Sequence, residues 1–366
     1  MPHNTRAKIL HICKVYLPVK GGIQKVVHSI TFLSNQYSHQ VLTSGEDGAV
    51  PQQELDNATV TRCRSYLEIA SMPIAPALIP QIIKSAKKCS IICLHYPFPL
   101  ADLALLMTFR LPPIVVYWHS NIIAQKKLKW LIYPLMYLTL SRATAIVVTS
   151  DRMVENSTLL RRFRAKIKII PYGLAAVDQL PTSPEKTYFI LVGRHVSYKG
   201  IDIAIRALQH VDSHLVLAGD GPLFEQHKLL AKTLAVSDKV TFNKNMCDRQ
   251  LQQLIQGSTA LIVPSVMPNE AFALVQLEAM RLKKPVINTS LTSTVPLVAR
   301  DQKEGLTVEP NNVMALAKAM NQILADEKLA TTLGNNGYQR FKQHFTEAKF
   351  KRSLDALFDE LVASKS

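Results

Sequence analysis

The sequence has 366 residues, of which 48% are hydrophobic and 19% are charged. This composition excludes an intrinsically disordered chain, and the length exceeds what one hydrophobic core usually supports, so two domains are expected. The formal net charge of +16 is uneven, because residues 1–180 carry +12 and residues 181–366 carry +4. We therefore expect the first half to face an anionic partner.

Cysteine usage and hydropathy exclude several other classes of protein. Only Cys89 and Cys93 are close in sequence, and their run SIICLHY is typical of a buried strand rather than a zinc site. Free thiols suit a reducing cytoplasm, and the first residues lack the features of a signal peptide. The most apolar stretch, residues 130–148, is interrupted by Pro134 and Arg142, so no transmembrane helix is predicted.

Short β-branched runs alternate with amphipathic stretches along the chain. Strands are predicted in the first half at residues 8–16, 39–45, 90–96, 113–119, 144–150 and 166–173, with a helix at 22–36. A second series of strands is predicted at residues 187–193, 214–219, 239–242, 260–264 and 284–289. Strands that alternate with helices predict an α/β fold class, here two doubly wound, Rossmann-like domains facing across a cleft.

The aperiodic segment 174–187 is the predicted linker between these domains. We predict an N-terminal domain over residues 1–178 and a C-terminal domain over residues 179–345. Residues 346–366 are predicted to form a final helix that packs back on the N-terminal domain. The apolar residues on the stripe of this helix are Phe350, Leu354, Leu357, Phe358 and Leu361.

Two glycine turns follow predicted strands and favour an anionic ligand. Gly21 and Gly22 precede a helix, where backbone N–H groups can approach a phosphate, although a simple tight turn explains them equally well. Gly219 ends another strand, in AGDGP, and allows a similarly close approach. Asp220, which follows it, is predicted to cap the next helix.

A third loop, residues 191–202, combines a strand end with two cations. The strand ends at Gly193, and Arg194 and Lys199 follow before the next helix. Two cations at the carboxyl end of a strand can neutralise a diphosphate, with the Arg194 guanidinium donating to two oxygens. The alternative is a solvated pair, and we favour the binding site.

The segment PSVMPNEAFALVQLEAM, residues 264–280, places two glutamates around an apolar run. We predict a loop and then a helix that begins near Glu270, which projects towards the cleft. Glu278 has apolar neighbours, so its carboxylate needs a polar partner, and a vicinal diol such as a ribose can donate from both hydroxyls. The alternative is a capping glutamate and a surface glutamate. The N–H groups predicted to face a phosphate or sugar oxygen are those of Phe272, Ala273 and Leu274.

His119 ends the predicted strand at 113–119, at the edge where a ligand is expected. A neutral imidazole there can donate a hydrogen bond to a substrate hydroxyl or carbonyl. The alternative is a structural histidine.

These residues together resemble the retaining glycosyltransferases of the GT-B fold, family 4, over nearly the whole chain. The resemblance rests on Gly21-Gly22, on the GR…KG loop at 193–200 and on GDGP at 219–222. Its most specific element is the E-x7-E pattern with LEAM at 277–280, followed by PVI at 285–287. The chain departs from the family pattern at Ala273, where a glycine usually follows Phe, and this substitution is expected to crowd the donor sugar.

The resemblance implies that the C-terminal domain binds a nucleotide-sugar, with Glu278 on the ribose and Arg194 and Lys199 on the diphosphate. Glu270 and His119 would contact the donor sugar, and transfer would proceed with retention and without a metal ion or other cofactor. The residues expected in catalysis are His119, Arg194, Lys199 and Glu270. The residues expected to bind the donor are Gly22, Gly193, Arg194, Lys199, Gly219, Glu270, Phe272, Ala273, Leu274 and Glu278.

Residues 118–137 look most like bacterial mannosyltransferases that build lipopolysaccharide O-antigen, which suggests GDP-mannose as the donor. The N-terminal domain would then bind a lipid-linked or polysaccharide acceptor. The alternatives are a transferase for another GDP- or UDP-sugar, a nucleotide-sugar epimerase, or an inactive membrane-bound scaffold of the same fold. A dehydrogenase is disfavoured because KGGIQK lacks the G-x-G-x-x-G pattern.

Basic residues lie beside apolar ones in two segments of the first half. Residues 76–88 carry lysines next to isoleucines, and residues 126–137 combine Lys126, Lys127 and Lys129 with Trp130. This pattern predicts peripheral contact with the anionic inner face of the cytoplasmic membrane. The alternative is ordinary core helices with lysines on the solvent side. No nucleic-acid-binding motif is present in the sequence.

Overall fold

The computed structural model describes residues 6–19, 21–45, 53–69, 72–120, 129–177 and 187–364. The chain divides into two compact units. The first unit comprises Met1–Tyr172 with Ala348–Ser366, and the second comprises Gly173–Glu347. The prolines of the predicted linker, Pro181 and Pro184, lie outside the described residues.

The first unit contains a mixed sheet covered by helices. Its strands are β1 (Lys8–Ile12), β2 (Ser38–Gly45), β3 (Gln53–Leu55), β4 (Ala58–Arg64), β5 (Leu67–Ile69), β6 (Met72–Ile74), β7 (Ile91–Tyr96), β8 (Ile114–Trp118), β9 (Ala145–Val148) and β10 (Ile167–Ile169). Its helices up to residue 172 are α1 (Gly22–Leu33), α2 (Leu78–Ala86), α3 (Pro99–Leu106), α4 (Lys129–Arg142), α5 (Asp151–Glu155) and α6 (Thr158–Arg161).

The main sheet of this unit has the order β10-β9-β8-β7-β1-β2-β4-β3 among the described strands. Of the strands described in this sheet, only β3 is antiparallel to its neighbour, and β5 and β6 form a separate antiparallel pair. Every residue of β7 and β8 is buried, because these central strands are covered on both faces.

The second unit contains a parallel sheet with the order β13-β12-β11-β14-β15-β16. Its strands are β11 (Tyr188–Val192), β12 (His214–Ala218), β13 (Val240–Asn243), β14 (Ala260–Val263), β15 (Val286–Thr289) and β16 (Gly305–Val308). Its helices are α7 (Ile201–Ala207), α8 (Phe224–Thr233), α9 (Asp248–Gly257), α10 (Val275–Arg281), α11 (Val295–Val298), α12 (Val313–Ala325) and α13 (Glu327–His344). The core of the unit lies between these helices and the sheet, around Phe189, Ile262 and Met320.

The predicted α/β class with doubly wound sheets is confirmed, and every strand predicted from an apolar run is present. The sequence patterns missed β4, a seven-residue strand in which polar residues interrupt the apolar ones. They also missed β3, β5 and β6, which have three residues each, and β16, which begins at Gly305. Strands this short do not show a hydrophobic period, and glycine is depleted in strands, so their patterns resemble loops.

The final helix, α14 (Glu347–Ala363), belongs to the first unit from Ala348 onwards. The rings of Phe358 and Tyr37 are nearly perpendicular, with a centroid distance of 5.6 Å, and the Tyr37 hydroxyl donates to Asp359. The buried side chains of α14 are those of the predicted stripe: Phe350, Leu354, Leu357, Phe358 and Leu361.

Helix α2 contains most of the first segment predicted to contact a membrane. Ile82 is fully buried and Ile79 and Ile83 are partly buried, whereas Lys84 and Lys87 are exposed. The apolar side of α2 is therefore used by the core, and the structure favours the core-helix alternative for this segment.

The second predicted membrane segment is only partly covered by the structure. Lys126 and Lys127 lie outside the described residues, and the side chains of Lys129 and Trp130 are not among those described. None of the helices in the described part of the chain combines the length and apolar character that a membrane crossing requires.

Candidate active site

Three loops meet at the carboxyl edge of the second sheet, where β12, β11 and β14 are neighbours. The Gly193 N–H donates to the Ala218 carbonyl at 3.0 Å, which joins the loop after β11 to the end of β12. The Val266 N–H donates to the Tyr198 carbonyl at 2.8 Å, which joins the loop after β14 to the loop after β11. Carboxyl ends of parallel strands are the usual ligand-binding edge of such sheets.

Two glycines permit this close packing of loops. Gly200 has a φ of 64°, and a Cβ atom at this position would lie 2.1 Å from the Pro264 carbonyl oxygen. Gly219 has a φ of 156°, and a Cβ atom there would lie 2.0 Å from the Gly193 carbonyl oxygen. Any side chain at either position would force the loops apart. The close backbone approach predicted at Gly219 is therefore made to the Gly193 carbonyl of the protein itself.

Lys199 and Glu270, predicted separately from two motifs, form an ion pair. The Lys199 Nζ lies 2.5 Å from the Glu270 Oε2, and the two side chains are 16% and 10% exposed. The Ser265 hydroxyl donates to the same Glu270 oxygen at 3.3 Å. The Lys199 stem lies along Gly193, where a Cβ atom would be 3.2 Å from the Lys199 Cε.

The charge on Lys199 is maintained despite its burial. Burial alone would lower the pKa of Lys199, but the Glu270 carboxylate, the nearby Tyr198 and the hydrogen bond to Glu270 outweigh it and raise this pKa above its ordinary value. A fixed, poorly solvated ammonium group therefore lies at the carboxyl edge of the sheet, where it interacts strongly with an anion.

Arg194 differs from Lys199 because its side chain is exposed to solvent. No ion pair to a carboxylate in the described part of the chain holds it. The guanidinium is therefore free to reorient towards an incoming phosphate. Arg194 lies five residues before Lys199, so both cations belong to the loop between β11 and α7.

The segment after β14 differs from its prediction in one respect. Helix α10 begins at Val275, so Glu270 lies in the preceding loop rather than at a helix start. The physical reason is Ala273, whose φ of 57° is left-handed and cannot continue a right-handed helix. The Ala271 carbonyl accepts from the Thr294 N–H at 2.9 Å, which fixes this loop on the segment that follows β15.

Glu278 has the polar partner that its apolar surroundings require, and this partner is Arg281 on the same helix. The Arg281 Nη2 donates to the Glu278 Oε2, and the two side chains are 8% and 14% exposed. The Arg281 Nη1 also donates to the Ala175 carbonyl at 3.1 Å. The poorly solvated Glu278 carboxylate therefore has a polar partner within the protein. The predicted contact of Glu278 with a ribose stays a prediction.

A buried amide pair, not identified from the sequence, supports the loop that carries Glu270. The Gln276 side chain donates to the Phe272 carbonyl at 3.0 Å and accepts from the Asn288 amide at 3.0 Å. The Asn288 amide donates also to the Ala299 carbonyl at 2.8 Å. Both side chains are fully buried, and the sequence signal that could have indicated this role is a polar residue at a core position of α10 and of β15.

Asp220 has a role other than the predicted helix cap. Helix α8 begins at Phe224, and Asp220 instead accepts from its neighbour, the Gly221 N–H, at 2.8 Å. It also pairs with Lys244 at 3.0 Å, and this hydrogen bond, followed by the one from Gly221, lowers the pKa of Asp220. Three residues, Gly221, Pro222 and Leu223, separate Asp220 from the first residue of α8, so Asp220 lies too early in the turn to cap this helix.

His119 of the first unit follows β8 directly and is 5% exposed. Its Nδ1 lies 2.8 Å from the Tyr172 hydroxyl, and its Nε2 lies 2.9 Å from the Nδ1 of His95. Both ring nitrogens are thus engaged, so the predicted donation to a substrate would require one partner to be exchanged. Gly22 is the first residue of α1, and its predicted contact with the donor stays a prediction.

Lys14 was not identified from the sequence, although it follows β1 at the same edge of its sheet as His119. Burial lowers the pKa of Lys14 to about 8, and the carboxylate of Glu68 opposes this change. The positive charge of Lys14 in turn adds to burial in lowering the pKa of His119 to about 3. The first half of the sequence contains many lysines, and nothing in the sequence distinguishes Lys14 from the others.

Of the predicted site residues, the structure brings Gly193, Lys199, Gly219 and Glu270 into direct contact within the second unit, with Arg194 in the same loop. Phe272, Ala273 and Leu274 lie between Glu270 and α10. Within the described ranges, no group of three or more histidine, cysteine, aspartate or glutamate side chains is placed to hold a metal ion.

Comparison with known proteins adds a family to this geometry. Residues 20–176 match the family model described as Glycosyltransferase Family 4, and residues 176–340 match the model described as Glycosyl transferases group 1. The two matches meet near the boundary between the two units.

Two curated proteins are similar to nearly the whole chain. The D-rhamnosyltransferase WbpZ of Pseudomonas aeruginosa is 31% identical, over 93% of this chain and 92% of that protein. The O-antigen chain mannosyltransferase C of Escherichia coli is 28% identical, over 98% of this chain and 100% of that protein. A solved sucrose-phosphate synthase from Thermosynechococcus elongatus shares the fold, with a TM-score of 0.82, 22% identity, and coverage of 98% of this chain and 100% of that chain.

Proposed function

The chain belongs to the family 4 glycosyltransferases of the GT-B fold, and on that premise we propose that it transfers mannose from GDP-mannose with retention of anomeric configuration. The acceptor in this proposal is a lipid-linked or polysaccharide glycan of bacterial surface polysaccharide synthesis. Similarity over 98% of the chain to a protein named an O-antigen chain mannosyltransferase supports both the sugar and the pathway.

The observation that carries the proposal is the pair formed by Lys199 and Glu270 at the carboxyl edge of the second sheet. Glu270 holds the Lys199 ammonium at 2.5 Å, and Ser265 donates to the same carboxylate. In the proposed complex, Lys199 and the mobile guanidinium of Arg194 bind the diphosphate, and Glu270 accepts from hydroxyls of the donor sugar. The positive charge then lies where negative charge develops on the leaving group.

The proposed reaction breaks the bond between the anomeric carbon and the diphosphate oxygen. A bond from the acceptor hydroxyl oxygen to the anomeric carbon forms on the same face, and the acceptor proton passes to an oxygen of the leaving diphosphate. The products are GDP and the extended glycan. No side chain of this protein is assigned as the base, and no metal ion takes part in the proposal.

Donor identity is tested by isothermal titration of the purified full chain with GDP-mannose, GDP-D-rhamnose, UDP-glucose and UDP-N-acetylglucosamine. GDP-mannose is expected to bind most tightly and to be hydrolysed slowly without acceptor. Tightest binding of a UDP-sugar would overturn the donor. If the folded protein neither binds nor hydrolyses any of the four, the inactive scaffold is supported. Interconversion of two donors would support an epimerase.

The site itself is tested by kinetics of single variants. Lys199→Gln is expected to lower kcat roughly 100-fold, because it removes a poorly solvated charge from the leaving group while its amide can still donate to Glu270. Lys318→Gln, on the exposed side of α12, is the matched control and leaves kcat unchanged. Equal rates for both variants would mean that the diphosphate does not bind at Lys199.

Glu278 needs a different substitution because of Arg281. Removing the carboxylate outright would leave the buried guanidinium unpaired and destabilise the second unit by about 3–5 kcal/mol. Glu278→Gln retains the shape and one acceptor oxygen, and it is expected to raise the KM for the donor roughly tenfold with little change in kcat. An unchanged KM would remove the ribose contact from the proposal.

A second candidate is D-rhamnosyl transfer, favoured by the 31% identity to a protein named a D-rhamnosyltransferase. D-Rhamnose is mannose without the 6-hydroxyl group, so the two donors differ by one hydrogen-bonding group. A kcat/KM for GDP-D-rhamnose that exceeds the value for GDP-mannose would select this candidate. The proposed roles of Lys199 and Glu270 are the same for both donors.

For the acceptor, we propose that the first unit contacts an anionic membrane through the region of α3 and α4. Leu103, Met107 and Phe109 are exposed by 43%, 57% and 87%, and Arg110 beside them is exposed too. The Arg142 guanidinium of α4 donates to the Leu105 carbonyl at 2.9 Å and so fixes α3 on α4. Exposed apolar side chains next to basic ones suit the interface of an anionic bilayer.

A further inference from the structure

Four buried histidines of the first unit form a continuous hydrogen-bonded chain, here called the histidine chain. His39 Nδ1 lies 3.0 Å from His11 Nε2, His11 Nδ1 lies 3.1 Å from His95 Nε2, and His95 Nδ1 lies 2.9 Å from His119 Nε2. Each histidine is at most 5% exposed. The histidine chain therefore runs across four neighbouring strands and ends at His119, a residue that the sequence predicts in catalysis.

The register of the parallel sheet places these side chains on one face. The histidines belong to β2, β1, β7 and the end of β8, which are successive strands. His11 pairs with Val41, two residues after His39, and with Cys93, two residues before His95. His95 pairs with Tyr117, two residues before His119. Side chains two residues apart point to the same side of a strand, so all four share a face.

The far end of the histidine chain determines its direction. His39 Nε2 lies 2.9 Å from the Ser34 carbonyl oxygen, which can only accept a hydrogen bond, so Nε2 of His39 carries the proton. The Ser34 hydroxyl, 3.4 Å from the same nitrogen, already donates to the Ile30 carbonyl. A neutral His39 then has an unprotonated Nδ1, which accepts from His11.

The same reasoning passes from ring to ring. His11 donates through Nε2 and accepts at Nδ1 from His95, and His95 in turn accepts at Nδ1 from the Nε2–H of His119. The Nδ1 of His119 is then an acceptor, and the Tyr172 hydroxyl donates to it at 2.8 Å. The reverse direction is excluded because it would place an unprotonated His39 nitrogen against the Ser34 carbonyl oxygen.

All four rings are neutral at neutral pH. Burial, reinforced by neighbouring histidines, lowers the pKa of His11 and His95 well below the ordinary value. Burial lowers the pKa of His39 too, although the hydrogen bond to Ser34 opposes it, and burial with the charge of Lys14 lowers the pKa of His119 to about 3. None of the four rings therefore carries a proton on both nitrogens, which would interrupt the single direction of hydrogen bonding along the histidine chain.

We propose that His39, His11 and His95 are positioning residues that fix His119 as its Nε2–H tautomer, so that His119 contacts the donor sugar as a hydrogen-bond acceptor through Nδ1. A hydroxyl of the sugar would replace the Tyr172 hydroxyl as the donor to this atom. This inference rests on the proposed function for the identity of the ligand, but the tautomer is a property of the protein alone. It reverses the direction of the hydrogen bond expected from the sequence.

The tautomer is measured by two-bond proton–nitrogen correlation spectra of the full chain labelled with ¹⁵N-histidine at neutral pH. The signals of the four residues are assigned from single-histidine variants. Each residue is expected to show a protonated Nε2 and an unprotonated Nδ1. A wild-type spectrum in which His119 carries its proton on Nδ1 overturns the proposal without further experiments.

Three variants test which end of the histidine chain fixes the tautomer of His119. His39→Leu removes the ring that is fixed by the Ser34 carbonyl, and the Nε2–H fraction of His119 should fall to about half, because nothing then distinguishes the two directions. His39→Asn places an amide beside His11 that can accept or donate, so it should also leave the tautomer of His119 mixed. Tyr172→Phe should preserve the tautomer, since a hydroxyl can donate or accept and so imposes no direction. A tautomer that depends on Tyr172 and not on His39 overturns the proposal.

Kinetics provide the functional readout. The kcat/KM of His39→Leu and of His39→Asn for the donor should fall in proportion to the Nε2–H fraction of His119 that each variant loses, which a purely structural role of His39 would not predict. If the spectra agree but His119→Ala leaves donor kinetics unchanged, the histidine chain stands and the proposed sugar contact of His119 fails. An unchanged kcat/KM in His39→Leu, together with a mixed tautomer, overturns the positioning role.

Discussion

Ala273 has a φ of 57°, a conformation that costs an L-residue about 1–2 kcal/mol relative to the right-handed region. Ala273→Gly removes this strain. The glycine also makes the unfolded chain more flexible, which lowers the free energy of unfolding by about 0.4–1 kcal/mol. The net expectation is a gain of about 0–1.6 kcal/mol in the free energy of unfolding of the second unit. Urea denaturation followed by circular dichroism measures it.

The matched control for this prediction is Ala279→Gly, in the buried part of α10. The same change is expected to destabilise there by about 1 kcal/mol, because glycine disfavours a helix interior. Opposite signs for the two variants would support the strain argument. A loss of stability at both positions would contradict it.

Asp102, on α3, is fully buried and accepts from the Tyr96 hydroxyl at 3.0 Å. Burial raises the pKa of Asp102 to about 7, although its hydrogen bonds oppose this. Between about pH 4 and 7 the unfolded chain releases this proton and the folded protein keeps it, so the stability that Asp102 contributes falls by about 1.4 kcal/mol per pH unit.

Asp102→Asn removes this dependence, because the amide does not titrate. The wild-type free energy of unfolding minus that of the variant is expected to decrease from pH 5 to pH 7 and then level off. Tryptophan fluorescence measures it, since Trp118 and Trp130 both belong to the first unit. A difference that stays constant over this range would show that Asp102 is ionised in the folded protein.

Residue types at strand ends were predictable from the sequence, but their partners were not. Lys199 and Glu270 were each identified from a local motif, yet their 2.5 Å contact joins residues that are distant in sequence. Arg281 gave no signal, because a buried polar partner is defined only by the tertiary structure around it. The tautomer of His119 likewise depends on a carbonyl, at Ser34, on another element.

At the scale of elements, α14 offers a direct test of which unit it stabilises. Leu354 is fully buried, and Leu354→Ala is expected to destabilise the first unit by about 2–5 kcal/mol. Arg352→Ala, on the exposed side of the same helix, should change stability by less than about 0.5 kcal/mol. The tryptophan fluorescence transition, which reports on the first unit alone, should move for Leu354→Ala only.

Strands with a long apolar run were predictable, whereas helix boundaries depended on single residues. The predicted helix after Glu270 was placed too early because nothing in the letters AFAL reveals a left-handed residue at Ala273. The stripe of α14 was correct in all five positions, since a period of 3.6 residues over several turns leaves little ambiguity.

At the scale of the whole molecule, the excess of positive charge in the first half suits an anionic surface. The first unit should therefore sediment with vesicles containing phosphatidylglycerol, and binding should weaken between 50 and 300 mM salt, by screening over a Debye length of about 10 Å. Phe109→Asp is expected to weaken binding, because it places a negative charge in the proposed contact.

Phe32→Asp is the matched control, since Phe32 is also an exposed phenylalanine of the first unit, at 54%, but lies on α1. Equal loss of binding in both variants would indicate a general charge effect and remove the proposed α3 and α4 contact. No sedimentation of the wild type at low salt would remove membrane binding altogether.

The first unit is assembled from two separate stretches of sequence, with the whole second unit between them. At roughly 5–20 residues per second, a ribosome needs on the order of 10–35 s to synthesise that intervening segment. Throughout this interval, Tyr37 and its apolar neighbours lack the helix that covers them in the finished protein. The nascent first unit is therefore expected to bind chaperones during this time. Although its synthesis starts later, the second unit is the first to have all of its residues.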